Sequence, residues 1–126
     1  MMGGFEGRRV FLTGAASGIG RATALLLARD GAELFLTDVN AEGLGQTVAD
    51  VRSLGAVVSE FRALDVSDYD AVAAFAADIH SRHPAMDAVM NIAGISAWGT
   101  VDQLTHRHWR SMVDVNLMGP IHVIEC

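Results

Sequence analysis

The chain begins with short apolar runs that alternate with amphipathic segments. Residues 8–13 form an apolar run of strand length that leads into glycines, and residues 19–30 resemble a helix rich in alanine and leucine. Gly31 should end that helix, since glycine adopts the left-handed conformation that closes many helices. Residues 32–37 then predict a second buried strand, which ends at Asp38.

The same alternation continues in the middle of the chain. Asn40 is a plausible N-cap for a helix whose apolar face is spaced by three and four residues, with members Ala41, Leu44, Val48, Val51 and Leu54. Gly55 should end it. Residues 56–64 predict a third strand, and its polar residues suit a position at the edge of a sheet.

The last third of the sequence predicts three more elements. Ser67 should cap a helix that closes at Pro84, and residues 86–92 supply a fourth strand. After a loop over residues 95–104, Thr105 should begin a final helix, which Gly119 and Pro120 are expected to break or kink.

Strands that alternate with helices of this length predict an α/β fold built from βαβ units. Right-handed crossovers would give a partial, doubly wound parallel sheet in the order 3-2-1-4, which is a three-layer Rossmann fold. No linker or repeat divides residues 1–126, so we expect a single Rossmann domain.

Composition excludes several classes of function. The formal net charge of −6 argues against binding to nucleic acid or to anionic membranes, and no apolar stretch is long enough to cross a bilayer. The single cysteine, Cys126, and an N-terminus without a signal pattern suggest a soluble, cytoplasmic protein. The histidines form no convincing metal-ligand set, so we expect no metal site.

The segment from Thr13 to Gly20 (TGAASGIG) carries the strongest chemical signal. It follows a predicted strand and opens a predicted helix, which is the setting of a phosphate-binding turn. Gly14 would let the chain leave the strand, Gly18 would let a diphosphate approach, and Gly20 would let the helix pack closely. The helix N-terminus then attracts the anion. The alternative is a glycine-rich turn that only reverses the chain.

Asp38, at the end of the second strand, would reach the ribose of a bound adenosine. Its carboxylate can accept hydrogen bonds from the ribose hydroxyls and would repel a 2′-phosphate, so NAD is favoured over NADP. The alternative is that Asp38 only caps the following turn with Asn40.

The spacing T-G-x-x-x-G-I-G resembles that of short-chain dehydrogenases/reductases of the classical type. The resemblance implies that Asp65 and Val66 flank adenine. It also implies that residues 91–94 (NIAG) correspond to the family's N-N-A-G, with isoleucine at the second position. The implied cofactor-binding set is Gly14, Ser17, Gly18, Ile19, Gly20, Asp38, Asp65, Val66, Asn91, Ala93 and Gly94.

The resemblance also implies hydride transfer between an alcohol or carbonyl substrate and the nicotinamide, in a homo-oligomer. Asn116 resembles the family's helix asparagine, which supports a proton relay to the catalytic lysine; the alternative is a polar residue bonding locally at a helix break. The chain contains no lysine and one tyrosine, Tyr69, and thus lacks the family's Tyr-x-x-x-Lys. We therefore expect an inactive N-terminal half of an NAD-dependent enzyme, or alternatively a nucleotide-binding module without chemistry.

Overall fold

The computed structural model describes residues 4–126. Over these residues the strands are β1 (Arg9–Thr13), β2 (Glu33–Asp38), β3 (Val57–Ala63) and β4 (Ala88–Asn91). The helices are α1 (Gly18–Arg29), α2 (Ala41–Ser53), α3 (Tyr69–Arg82), α4 (His106–Val113) and α5 (Gly119–Glu125), with a π-helical segment at Asp114–Met118 between the last two. None of these helices is both long enough and apolar enough to span a bilayer.

The strands form one parallel sheet in the order β3-β2-β1-β4, which confirms the predicted topology. In register, Thr13 lies beside Thr37 of β2 on one side and beside Asn91 of β4 on the other. The carboxyl ends of three strands therefore meet at one edge of the sheet, where ligands bind in open α/β folds.

Helices cover both faces of the sheet, so the predicted three layers are confirmed. On one face, Leu12 and Leu36 are fully buried against α1 and α2, which contribute Ala24 and Val51 among other residues. On the other face, an aromatic cluster joins Phe11 and Phe35 of the sheet to Phe75 of α3. The strands are consequently held from two sides, and their carboxyl ends are rigid supports for the loops that follow.

Helix α3 begins one residue later than the sequence predicted. Its N-cap is Asp68, whose side chain accepts a hydrogen bond from the main-chain N–H of Ala71, and the predicted cap Ser67 is wrong. Ser67 instead donates from its main-chain N–H and its hydroxyl to Asp65. Two adjacent capping-type residues are hard to rank from sequence because both can accept from the first turn.

The final helix is not broken at Gly119 and Pro120, but it departs from regular α-helical geometry directly before them, at Asp114–Met118. The helix begins at the predicted cap, Thr105, and runs through the π-helical segment into α5. Proline lacks an N–H and clashes with the carbonyl four residues earlier. The wider π turn just before Pro120 accommodates both the missing N–H and the clash with the carbonyl. The distortion of the helix therefore lies on the N-terminal side of the proline.

The predicted edge position of β3 is confirmed, and an ion-pair cluster lines that edge. Glu60 accepts two hydrogen bonds from the Arg82 guanidinium, at 2.9 and 3.0 Å, and a third from His83 Nε2 at 2.9 Å. These bonds, first from Arg82 and then from His83, lower the pKa of Glu60 from 4.5 to about 2. The cluster attaches the C-terminal end of α3 to the outermost strand.

We expect Glu60→Gln to make the free energy of unfolding less dependent on pH in the acidic range. Because the folded pKa lies below its ordinary value, the carboxylate stabilises the fold above pH 4.5 and loses that contribution as the pH falls toward 2. In urea unfolding, the variant should have a free energy of unfolding about 1 kcal/mol below that of the wild type at pH 6, with solvent screening allowed for. The difference should be smaller at pH 3. The control, Glu42→Gln, removes one exposed acid elsewhere; an equal pH response in both variants would contradict the assignment.

Candidate functional site

A cleft of about 750 Å³ opens at the carboxyl edge of the sheet, above the ends of β1 and β2. It brings together all but one of the predicted cofactor-binding residues: Gly14, Ser17, Gly18, Ile19, Gly20, Asp38, Asp65, Val66, Ala93 and Gly94. Within residues 4–126, Asn91 is not among the lining residues. It ends β4 two residues after Val89, and strand alternation therefore turns its side chain to the α3 face.

The glycine turn fits the conformation that its sequence predicts. Gly14 has a φ of +73°, and a Cβ there would lie 2.8 Å from the main-chain nitrogen of Ala93. A Cβ on Gly20 would lie 1.8 Å from the Gly14 carbonyl oxygen, so helix α1 could not pack at this distance with any other residue. Gly18, with a φ of +53°, has no neighbour within 4 Å of such a Cβ. The space above Gly18 is thus open to a ligand.

Helix α1 begins in a way that leaves its N-terminus free for an anion. Its N-cap, Ser17, is extended and makes no side-chain capping bond, and the first turn holds no acidic residue. The first N–H groups of a helix have no partner within the helix, and together with the helix dipole they attract negative charge. A diphosphate would supply both the charge and the acceptors.

Asp38 makes two main-chain hydrogen bonds at the edge of this cleft. Its Oδ2 accepts from Ala16 N at 2.9 Å, and its Oδ1 accepts from Asn40 N at 2.9 Å. The turn with Asn40 that the sequence suggested is therefore present, yet the carboxylate also lines the cleft. Each carboxylate oxygen has a second acceptor site, so Asp38 can still accept from a sugar hydroxyl.

Two residues that the sequence analysis missed support the wall formed by Val66. His122 of α5 contacts the Val66 carbonyl oxygen through Nδ1 at 2.8 Å, and because a carbonyl can only accept, Nδ1 is the donor. Gly119 lies beneath the Val66 side chain, where a Cβ would be 2.7 Å from Val66 Cγ2. Next to Pro120, Gly119 predicts a helix break, although a glycine inside a helix also indicates close packing.

The loop after β4 is held by two polar side chains. Thr13 Oγ1 accepts from the N–H groups of Ile92 and Ala93, both at 3.1 Å. Asn116 accepts from Ile95 N at 2.8 Å and donates to Ile95 O at 2.7 Å. Asn116 therefore does not bond locally within its own helix; it joins the π-helical segment to a loop residue that lines the cleft. Its part in a proton relay stays a prediction.

Other candidate sites are less suited to a nucleotide. A smaller cavity of about 240 Å³ lies on the α3 face and is lined mainly by apolar side chains such as Phe75 and Ile79. It lacks the carboxylates and the helix N-terminus of the larger cleft. Within residues 4–126, the histidine, cysteine and acidic side chains form no group of three that could hold a metal ion.

The chain is similar in sequence and in structure to known proteins of one family. The family model described as short chain dehydrogenase matches residues 8–126. The Mycobacterium tuberculosis protein SadH, named as an oxidoreductase, is 40% identical over 121 residues. A short chain dehydrogenase/reductase from Burkholderia phymatum, solved in complex with NAD, is 34% identical with a TM-score of 0.88. A gluconate 5-dehydrogenase from Burkholderia cenocepacia, solved with NADP and tartrate, is 30% identical with a TM-score of 0.85.

These matches cover nearly all of this chain but less than half of each relative. The chain is 96% covered in all three comparisons, which extend over 44% of SadH and over 43% and 47% of the two solved structures. The similarity therefore concerns the part that contains the glycine turn and the cleft.

Proposed function

The chain belongs to the short chain dehydrogenase family, and on that premise we propose that its cleft binds NAD(H) as the cofactor-binding part of an oxidoreductase. The observation that carries the proposal is the glycine turn between β1 and α1. It combines the close contact at Gly20, the open space above Gly18 and an uncapped helix N-terminus. Together these features provide room and main-chain donors for a diphosphate.

The residues present suit each part of a dinucleotide. The turn from Gly14 to Gly20 would hold the diphosphate, Asp38 would accept from the adenosine ribose, and Asp65 with Val66 would flank adenine. Ala93 and Gly94 would lie against the second ribose, with the loop held in place by Asn116. The nicotinamide, when bound, supplies or accepts the hydride. This chain's own residues bind the cofactor and orient it.

NAD(H) is the preferred cofactor in this proposal because of Asp38. A carboxylate at this position repels a 2′-phosphate, and within residues 4–126 no arginine lines the cleft to offset that repulsion. Solved relatives include complexes with NAD and with NADP, so the preference depends on the residues of this chain.

The substrate class in this proposal is a small alcohol or carbonyl compound, converted in a homo-oligomer of which residues 1–126 form one domain. The alternative is a nucleotide-binding module without chemistry. It is favoured by the absence of lysine from the sequence and by the position of Tyr69, which begins α3 and does not line the cleft. The coding sequence that follows Cys126 distinguishes the two: a serine followed by Tyr-x-x-x-Lys supports the oxidoreductase, and an immediate stop codon supports the module.

A titration of the purified protein followed by NADH fluorescence tests the proposed function. We expect saturable binding of NADH, and binding of NADPH that is weaker by about tenfold or more, which corresponds to about 1.4 kcal/mol. Tighter binding of NADPH would contradict the role given to Asp38. No binding of either nucleotide to a folded sample would contradict the proposal itself.

A further inference from the structure

The peptide group between Ala15 and Ala16, in the middle of the glycine turn, is hydrogen-bonded at both ends. Its N–H, from Ala16, donates to Asp38 Oδ2. Its carbonyl oxygen, from Ala15, accepts from Thr47 Oγ1 at 2.9 Å. Thr47 lies on α2, 32 residues further along the chain. Rotation of this peptide would break both bonds, so its orientation is fixed from outside the turn.

The Thr47 hydroxyl is itself oriented by a surface ion pair. Arg21 Nη1 donates to Thr47 Oγ1 at 3.3 Å, while Arg21 Nη2 pairs with Asp50. Gln46 also donates to Asp50 at 3.1 Å. A hydroxyl has one hydrogen, which Thr47 directs to Ala15 O at 2.9 Å or to its own helix at Gly43 O, 3.2 Å away. The shorter distance favours the turn.

Close packing places α2 directly against the turn. A Cβ on Gly43 would lie 3.0 Å from the Ala16 Cβ and 3.2 Å from the Ala16 carbonyl oxygen. Thr47, one helical turn later, is fully buried. Helix α2 thus presents a glycine for close approach and a hydroxyl for the Ala15 carbonyl, on the face that meets the turn.

We propose that Thr47, oriented by the Arg21–Asp50 pair, is a positioning residue for cofactor binding, which it serves by fixing the Ala15–Ala16 peptide of the glycine turn. The inference rests on the proposed function. Without the hydroxyl, the Ala15 carbonyl has no partner from α2 and the peptide can rotate. Because Ser17 and Gly18 follow this peptide directly and line the cleft, its rotation would displace the main-chain donors that face the diphosphate.

Thr47→Val keeps the side-chain shape and removes the hydroxyl, so it tests the proposal directly. We expect NADH, titrated against the purified protein, to bind about tenfold more weakly, as the loss of one hydrogen bond predicts. Thr47→Ser keeps the hydroxyl and should restore the affinity to within about threefold, although it leaves a small cavity. Adenosine alone, which has no phosphate, should displace NADH equally well from both variants.

Thr37→Val is the matched control. Thr37 is as fully buried as Thr47, and its hydroxyl donates at 2.7 Å to the Arg62 carbonyl oxygen on the opposite face of the sheet. The same chemical change should lower the unfolding midpoint to a similar degree while leaving the NADH affinity within about twofold. A loss of stability alone therefore cannot produce the expected result.

Asp50→Asn gives a second test at a position whose side chain is about one-third exposed. Removal of a negative charge should, by electrostatics alone, strengthen the binding of an anionic ligand such as NADH. We expect the opposite, a loss of about threefold in NADH affinity, because a neutral amide holds the Arg21 guanidinium, and through it Thr47, less firmly than a carboxylate does. Wild-type protein that fails to bind NADH would overturn the proposed function. Wild-type protein that binds NADH, together with unchanged affinity in both Thr47→Val and Asp50→Asn, would overturn the role of Thr47 alone.

Discussion

Gly20→Ala should abolish detectable NADH binding and lower the stability of the protein. A Cβ at this position would lie 1.8 Å from the Gly14 carbonyl oxygen, and both partners are main chain, so the turn or the helix must move. We expect a loss of about 3 kcal/mol in the free energy of unfolding and at least a hundredfold loss of affinity. Urea unfolding and NADH titration measure the two effects.

Gly18→Ala separates the effect on NADH affinity from the effect on stability. Gly18 has a positive φ but open space around it, so the methyl group costs about 1 kcal/mol in backbone strain and projects into the proposed diphosphate site. The matched control is Gly55→Ala, where φ is +80° and the space is also open, but the residue follows α2 and does not line the cleft. Equal NADH affinities in these two variants would mean that the ligand does not approach Gly18.

Asp38→Asn should shift the preference between NADH and NADPH by about 10- to 100-fold toward NADPH. Loss of the negative charge removes the repulsion of the 2′-phosphate, and it also weakens the hydrogen bonds offered to the ribose of NADH. The ratio of the two dissociation constants, measured at one salt concentration, gives the shift.

Asp65→Asn is the control for the Asp38 variant because it removes the same charge from the neighbouring wall of the cleft. Asp65 holds Ser67 through Oδ1, an atom that asparagine retains, so the loop should keep its shape. We expect NADH and NADPH to be affected alike. A similar shift in preference in both variants would show that net charge, and not the position of Asp38, sets the selectivity.

The sequence predicted the fold well because its signals are local and agree with one another. Each strand is an apolar run followed by a turn residue, and each helix has one apolar face. The handedness of βαβ crossovers then leaves a handful of strand orders, of which 3-2-1-4 is that of the Rossmann fold. The errors lie where two local signals compete. Ser67 and Asp68 are both good caps, and the effect of Pro120 depends on how far the helix can widen before it.

The candidate site was predictable where the residues act through their own position in a motif. Gly14 follows the first predicted strand and Asp38 ends the second. Gly18 and Gly20 open the predicted helix between these strands, so topology alone brings the four residues together. The contacts of Thr47 and His122 could not be predicted in the same way, since they join parts of the chain 32 and 56 residues apart. A signal for Thr47 did exist: it lies on the apolar face of its helix, where a buried hydroxyl needs a partner.

A crystal structure of the protein grown with NADH would show where the diphosphate binds, which is the decisive question for the proposed cofactor site. We expect both phosphates against the main chain of residues 14–20, with the adenosine ribose beside Asp38. A dinucleotide bound elsewhere, with this turn facing only solvent, would contradict this expectation.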